Sequence, residues 1–541
     1  MGYAPVCDRT RRWAPDVSAV DAVVVGAGPN GLVAANLLAE RGWRVVVLEA
    51  GATPGGGVRS TELIEPGYVN DVCSAFYPLG AASPVLASLR LEEHGLRWLH
   101  APLVVAHPAL DGSCPVLSRD LEVTARSLDE DHPGDGDAWR ALYDRWLRLE
   151  GALLGALFTP FPPVGALARF ARRMSPREYV EFARFSLLPV RRLGEEQFRG
   201  AAARRLIAGS ALHADLPPEG TMSGFFGWLM CSLGQSVGFP VPAGGAGSLT
   251  AALVHRLESF GGRVECNAAV REVIVRGDRA VAVQTHAGDV VDAARAVVAD
   301  VSAPVLYRSL LHEEDLPPAF RARLSQFQWD NGTVKVDWNL DGPIPWTAAP
   351  ARAAGTVHLA ESVDALTRTM AELVCGEIPR EPFLIVGQQS MTDPSRQPAG
   401  RETAWAYTHV PHPERSPVST DPGVIAKLVD TMEDVVESHA PGFRELIRGR
   451  HVLTPSGFQT ENASLVGGAI NGGTAQLHQQ LVFRPVPGLG RAETPIRGLF
   501  LGSASAHPGG GVHGGPGANA ARAAVLHARL DRRLGRVRRS R

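Results

Sequence analysis

Lysine is nearly missing from this chain: it stands only at positions 335 and 427, and arginine carries almost all of the positive charge. That bias is of the kind a GC-rich genome produces and says little about function. The charges nearly cancel, 54 Lys and Arg against 56 Asp and Glu, for a net charge of −2. A polyanion binder needs a basic excess, so nucleic acid is not an expected partner. Cysteine is sparse too, with six residues at 7, 73, 114, 231, 266 and 375 and neither a C-x-x-C pair nor a metal-ligand spacing. Dithiol redox chemistry and a metal site are therefore not expected. No apolar run reaches the length of a membrane span. Residues 1–20 contain Arg9, Arg11 and Arg12 but no apolar segment of a secretory signal, and Gly2 lacks the downstream hydroxyl residue of a myristoylation site. The expectation is a cytoplasmic protein, and 541 residues are enough for two or three domains.

Glycine, by contrast, is abundant, and its placement organises the chain. The apolar run Ala22 to Val25 ends at Gly26, and Gly26, Gly28 and Gly31 form G-x-G-x-x-G directly before a helical stretch, Leu32 to Arg41, closed by Gly42. Gly26 permits the turn, Gly28 lets the backbone approach a pyrophosphate, and Gly31 lets helix and strand pack closely. Phosphates then lie at the positive helix N-terminus. The β-branched run Arg44 to Leu48 follows and delivers Glu49, 18 residues beyond the third glycine. A carboxylate there binds an adenosine ribose and repels a 2′-phosphate, so the ligand is FAD or NAD rather than NADP.

Gly55, Gly56 and Gly57 come directly after that acid. Here the sequence resembles the FAD-dependent amine oxidase and phytoene desaturase superfamily, whose members carry a Gly-Gly-Arg-x-x-Ser/Thr segment along the FAD pyrophosphate. Gly57 stands where many members have arginine, and Arg59 and Ser60 follow, which is closer to the phytoene-desaturase-like branch; Arg59 becomes the candidate to neutralise the phosphates. Pro242 to Ser248 opens a second glycine loop and a helix to about Phe260, with strands near 263–266, 270–275 and 280–285. This order is similar to the superfamily segment in which a valine presents its backbone to the FAD adenine, and Val270 is the match. Ala294 to Asp300 resembles the strand that re-enters the cofactor domain.

The C-terminal block is the second strong signal. Gly498 to Gly502 reads as a buried strand, Ser503 to Gly517 as a glycine-rich loop, and Ala518 to Leu530 as a helix. The wording GLFLGSASAHPGGGVHGGPGANAA is very similar to the terminal FAD motif of phytoene-desaturase-like oxidoreductases, which implies flavin contacts at Gly502, Ser503, Gly510, Gly511 and Val512. Such a loop brings backbone N–H groups to a planar ring, and a following helix N-terminus favours the charge of a reduced flavin. No cysteine lies in this loop, so FAD is expected to be non-covalent.

The fold class expected is α/β: a Rossmann-like FAD-binding domain of the glutathione-reductase type, residues 21–75, 240–301 and 457–530, and a discontinuous α+β substrate domain, residues 76–239 and 302–456, with a mixed sheet and a helical part. Residues 1–20 are an N-terminal extension and 531–541 a basic tail. Strands are expected at 334–338, 383–388 and 404–410, and helices from 422 to 448. Gly151 to Met174 carries apolar side chains at helical spacing broken by Pro160, Pro162 and Pro163; it is either a core-facing helix pair or a surface that touches lipid. Met222 to Phe239 either lines an apolar pocket or belongs to the core. The arginines from Arg529 onward are either a membrane-surface patch or a frayed helix end.

The resemblance implies dehydrogenation by hydride transfer to flavin N5, leaving a C=C or C=N bond in a small, largely apolar substrate. His507 and His513 flank the glycines of the terminal loop and titrate in the range suited to proton transfer; His409, in a strand bordering the substrate cavity of relatives, is a third candidate. His478 and Arg484 also match by position. The alternatives are a polyene isomerase, an amine oxidase, or a binding or chaperone protein without FAD; the last would have lost Glu49 or the glycines, which are intact.

Overall fold

The computed structural model describes residues 20–488 and 490–539; most of the N-terminal extension, residues 1–19, and the last two residues of the basic tail lie outside them. Val20–Val25 is a short β-branched strand at the centre of a parallel sheet. It pairs with Val45–Leu48 on one side, in the register Ala22 to Val45, and with the second half of Val290–Ala299 on the other. Arg263–Glu265 and Leu499–Leu501 extend the parallel sheet at its two ends. The first half of Val290–Ala299 turns out of this sheet to pair antiparallel with Arg279–Thr285, which forms a hairpin with Val270–Arg276. One long strand thus serves two layers.

Alternate residues of the central strand face opposite ways. Ala22 and Val24 pack under the helices Pro29–Ala39, Gly247–Ser259 and Gly515–Arg539, whereas Val23 and Val25 pack toward the antiparallel strands and the helix Ala303–Ser309. Both faces are covered, which is why the strand reads as an unbroken apolar run.

A second seven-stranded sheet has the order Ile447–Leu453, Gly332–Leu340, Glu402–Val410, Leu384–Gly387, Ala354–Leu359, Leu103–Ala106, Val116–Leu117. It is mixed, the one parallel pair being Ala354–Leu359 with Leu103–Ala106. One face packs on the helix Pro422–His439; the other, through Trp405 and Ile385, meets the helices Ala201–His213 and Ser223–Val237.

Three local expectations are corrected or resolved. The helices expected over 422–448 are Pro422–His439 and Phe443–Leu446, and the last two residues of that span instead begin an edge strand, Ile447–Leu453. Its exposed positions carry Arg448 and Arg450, so the apolar alternation that marks a strand is absent. The first helix begins at Pro29 rather than Leu32, because proline supplies the helical φ and lacks an N–H that would have no partner there. The stretch from Met222 is a core helix, Ser223–Val237, in which Trp228 is fully buried and donates to the Leu142 carbonyl at 3.0 Å. The prolines at 160–163 do break the chain, between the helices Asp135–Leu157 and Val164–Arg173. Among the described residues no helix is long and apolar enough to cross a membrane.

Candidate functional site

The central strand ends at Gly26, whose φ of +95° L side chains rarely adopt. Helix Pro29–Ala39 follows with Gly28 as its N-cap; it has no side-chain cap and no acidic residue in its first turn. Its own residues thus put no negative charge at this positive end, which suits an anion. A Cβ on Gly31 would overlap the Gly26 carbonyl oxygen, so the helix approaches the strand as the spacing requires. At the end of Val45–Leu48, Glu49 accepts the Ala27 N–H at 2.8 Å and the Gly51 N–H at 2.7 Å, which fixes the carboxylate beside the glycine turn.

The next glycines close over this turn. Gly55 N–H donates to the Ala27 carbonyl at 2.8 Å, and a Cβ on Gly56 would lie 3.2 Å from the Gly28 Cα. Gly57 has room, its nearest neighbour being the Cys73 Cβ at 3.7 Å. Arg59 donates to the Gly56 carbonyl at 3.0 Å and pairs with Glu461 at 2.7 Å, so its charge is already matched within the chain. Ser60 Oγ donates to Asp71 at 2.6 Å and accepts the Gly247 N–H at 2.9 Å, linking the first glycine region to the second. Val270 begins its strand beside the acid: Ala268 N–H and Asn267 N–H donate to the carbonyls of Glu49 and Gly51 at 2.8 and 2.9 Å.

The terminal loop reaches the same place. Gly502 N–H donates to Ala299 at 2.8 Å, and Ser503 is buried with its Oγ accepting Ser505 N–H at 3.3 Å. Gly510 faces Asn471, Gly511 has φ +95° against Leu79, and a Cβ on Gly80 would lie 3.0 Å from the Val512 carbonyl oxygen. Helix Gly515–Arg539 crosses Pro29–Ala39 so closely that a Cβ on Gly517 would overlap the Asn30 carbonyl oxygen, and one on Gly514 would lie 2.8 Å from Val33. The two glycine motifs, at opposite ends of the chain, are thus one structure with the starts of two helices in contact.

The candidate histidines differ in kind. His513 accepts the Gly515 N–H on Nδ1 at 3.0 Å and donates from Nε2 to the Gly510 carbonyl at 3.1 Å; both ring nitrogens bind the loop's own backbone. His507 uses Nε2 toward the Thr159 carbonyl at 3.0 Å, and its Nδ1 is buried without a partner. Burial pushes both down to about 4. His409 lies in the strand Glu402–Val410 with Nε2 2.6 Å from Asp215 and Nδ1 3.4 Å from the Gly332 carbonyl. Burial opposes its charge, but Asp215 and then Asp330 outweigh it and hold its pKa above the ordinary value. Two acceptors at two ring nitrogens favour the imidazolium.

Residues with no sequence signal, Asp215, Asp330, Asn471 and Gly473, complete this region together with Arg484, which matched by position. Asn471 donates from its side chain to Asp215 and from its backbone to Asp330 at 2.8 Å, and Gly473 N–H meets Asp330 at 2.9 Å. Arg484 is fully buried and donates to the carbonyls of Asn471, Thr474 and Ala504 at 2.7 to 3.0 Å, tying this segment to the terminal loop. His478 is exposed and contacts Gln328 at 3.0 Å. On the second sheet Lys335 pairs with Asp337 at 2.5 Å and donates to the Asp71 carbonyl at 2.9 Å, beside the stacked rings of Trp405 and Tyr407. The scarcity of lysine was the one hint at Lys335. Burial pushes the Cys73 and Cys114 thiols up to about 11 and Cys231 to about 12, so these thiols stay protonated. Among the described residues no group of three or more His, Cys, Asp or Glu could hold a metal ion.

A Gly-rich helix start without an acidic first turn, the carboxylate of Glu49 fixed beside it, and a second glycine loop seated on that helix fit a dinucleotide, and the family places the chain among flavin-binding oxidoreductases. The chain belongs to the flavin containing amine oxidoreductase family, whose model matches residues 30–347. It is 27% identical to pyridine nucleotide-disulfide oxidoreductase domain-containing protein 2 of Rattus norvegicus, over 93% of this chain and 92% of that one. It is 24% identical to the neurosporene-forming phytoene desaturase of Cereibacter sphaeroides, over 92% and 93%. The solved structure of cyclohexylamine oxidase from Brevibacterium oxydans shares the fold, with a TM-score of 0.58, 15% identity and coverage of 95% and 99%. The protein is an FAD-dependent oxidoreductase.

Proposed function

We propose that this enzyme dehydrogenates a small, largely apolar organic molecule held between the terminal glycine loop and the second sheet. The observation that carries this reading is the state of the carboxylates on the sheet face. Trp405, Tyr407 and His409 alternate along one strand, opposite Asp337, Lys335 and Thr333 of its neighbour. Phe76 lies 6.0 Å from Trp405. Asp337 is matched by Lys335, Asp215 by His409, and Asp330 by two backbone N–H groups. An ammonium substrate would have to break one of those pairs, whereas an apolar one needs only the aromatic wall.

Bound FAD supplies the acceptor for the substrate hydride. In this reading Gly26, Gly28 and Gly31 hold the diphosphate, Glu49 the ribose, Val270 the adenine, and Gly55 to Ser60 the pyrophosphate side. Gly502, Ser503 and Gly510 to Val512 hold the flavin end in a cradle of the glutathione-reductase type. The cofactor domain comprises 21–75, 240–301 and 457–530, and the substrate domain 76–239 and 302–456. His409, the one of the three candidates whose pKa is held above the ordinary value, faces the substrate; His507 and His513 hold the loop. A small molecule is the sole partner this reading needs, in the cytoplasm, and contact of the helical part with a membrane surface would suit an apolar substrate.

The test is to incubate the purified enzyme with acyclic polyenes and, separately, with primary and secondary amines. Desaturated hydrocarbon from the first supports the proposal; aldehyde and hydrogen peroxide from the second alone would establish the amine oxidase reading in its place.

A further inference from the structure

The fingerprint glycines converge on a residue outside the motif. Asp300 follows the strand Val290–Ala299. A Cβ on Gly26 would lie 2.7 Å from its carbonyl oxygen, one on Gly28 2.6 Å from its Oδ2, and one on Gly31 3.0 Å from both its Cβ and its Oδ2. Asp300 Oδ2 also accepts the Gly31 N–H at 2.7 Å. A carboxyl group therefore sits against the first turn of the helix whose positive end is to receive the FAD diphosphate. The buried Asn30 Oδ1 in the same turn has no partner.

Among the described residues, the elements around this carboxyl group bring it no free cation. Helix Pro29–Ala39 brings no charged residue to its first turn. The strand Val45–Leu48 brings Glu49, a second carboxylate, and the Gly55 to Arg59 segment brings Arg59, which Glu461 already occupies. The loop after the terminal strand contributes the neutral Ser503 and Ser505. An ionised Asp300 would face both Glu49 and a dianionic diphosphate in a site of low polarity, an arrangement in which like charges strongly disfavour ionisation. A neutral carboxyl group there has a proton to donate to a phosphate oxygen.

We propose that Asp300 is a cofactor-binding residue that works in its protonated form, so that loading FAD takes up one proton at this side chain. The proposal rests on the FAD assignment of the glycine fingerprint. Burial and, after it, the neighbouring Glu49 already raise Asp300 to about 7, against the pull of the Gly31 N–H. Diphosphate raises it further. The sign follows from linkage: FAD binds most tightly where Asp300 is already protonated before loading, and its affinity falls as pH rises through that value.

The experiment strips FAD from the full-length protein and titrates it back, following quenching of flavin fluorescence from about pH 6 to about pH 9. The wild type is expected to lose affinity by about tenfold per pH unit above about pH 7. Asp300→Asn, a permanently neutral donor, is expected to bind FAD at every pH about as the wild type does at low pH, with no slope, and Glu49→Gln to keep a slope. Calorimetry of the wild type in buffers of different ionisation enthalpy reports the proton directly, with about one taken up per FAD at alkaline pH, whether or not the variants fold. Tight binding with a flat profile and no proton uptake, or a slope retained in Asp300→Asn, overturns the proposal. FAD that fails to bind the stripped chain at any pH overturns instead the cofactor assignment beneath it.

Discussion

Gly517→Ala isolates the contact between the two glycine motifs, and two physical effects give it opposite signs. In an ordinary helix interior, alanine for glycine stabilises by about 0.5–1 kcal/mol. Here the added methyl group would overlap the Asn30 carbonyl oxygen and come within 2.8 Å of its carbon and 3.1 Å of its Cα. These are backbone atoms of the first turn of the other helix, so no side chain can swing away. Overpacking of this kind costs about 1–3 kcal/mol, and with rigid backbone on both sides the upper half of that range applies, for a net loss of about 1–2 kcal/mol. Moving Asn30 also displaces the helix start proposed to hold the diphosphate, so FAD affinity is expected to fall by about tenfold, or about 1.4 kcal/mol. Gly151→Ala is the matched control, because Gly151 lies in the helix Asp135–Leu157 with nothing within 4 Å of the new methyl. Thermal unfolding of both variants, with FAD titration of each, decides the matter. If Gly517→Ala were stabilised like the control and kept its FAD affinity, the close crossing of the two helices would be refuted.

Glu49→Ala is expected to weaken FAD binding by about 1.5–3 kcal/mol, the range for a hydrogen bond to a charged group; an unchanged dissociation constant would remove the ribose assignment. Lys335→Met leaves Asp337 buried and unpaired and is expected to cost about 3–5 kcal/mol by chemical denaturation, with much of that recovered in Lys335→Met/Asp337→Leu; a neutral single variant would contradict the pairing. His507 and His513, held neutral at about 4, make the fold acid-sensitive. Their unfolded values are near 6.5, so the stability they protect is present above about pH 6.5 and lost as pH falls toward about 4, by about 3 kcal/mol each; His513→Gln should flatten that part of the stability profile. His409 behaves in the opposite sense: its pair with Asp215 stabilises fully below about pH 6.5 and fades as pH rises through its raised folded value. Nuclear magnetic resonance titration of the ring in wild type and Asp215→Asn checks this, with a lower value expected in the variant.

The local form of both glycine motifs was legible in the sequence because their signals are local. A strand, a glycine turn, a helix and an acid fall within forty residues, and each carries its own chemical reason. The terminal loop could be read for the same reason, but its seat on Asn30 could not. That contact depends on the crossing of two helices far apart in the chain and on a glycine, Gly517, that looks like any other in its loop. Asp300 was visible only as the end of a strand, since nothing local says that the fingerprint glycines will close on it. The candidate histidines show the limit most clearly. Residue type and position put His507 and His513 beside the expected flavin, but their bonds to backbone at Thr159, Gly510 and Gly515 arise from folding. The acid beside His409 comes from Asp215, in a stretch with no motif at all. The edge strand Ile447–Leu453 was missed because its charged outward positions erase the apolar alternation.

The central claim is that this protein removes two hydrogens from an apolar substrate, and anaerobic single turnover tests it most directly. The oxidised holoenzyme is mixed without oxygen with the hydrocarbon that the substrate screen selects, and the visible flavin absorption and the product mass are followed together. The account predicts bleaching of one flavin per product formed and a product lighter by two hydrogens, with no cysteine titrated, since the sequence has no C-x-x-C pair to hold the electrons. Product of unchanged mass formed without lasting bleaching would contradict it and identify a redox-neutral isomerase instead.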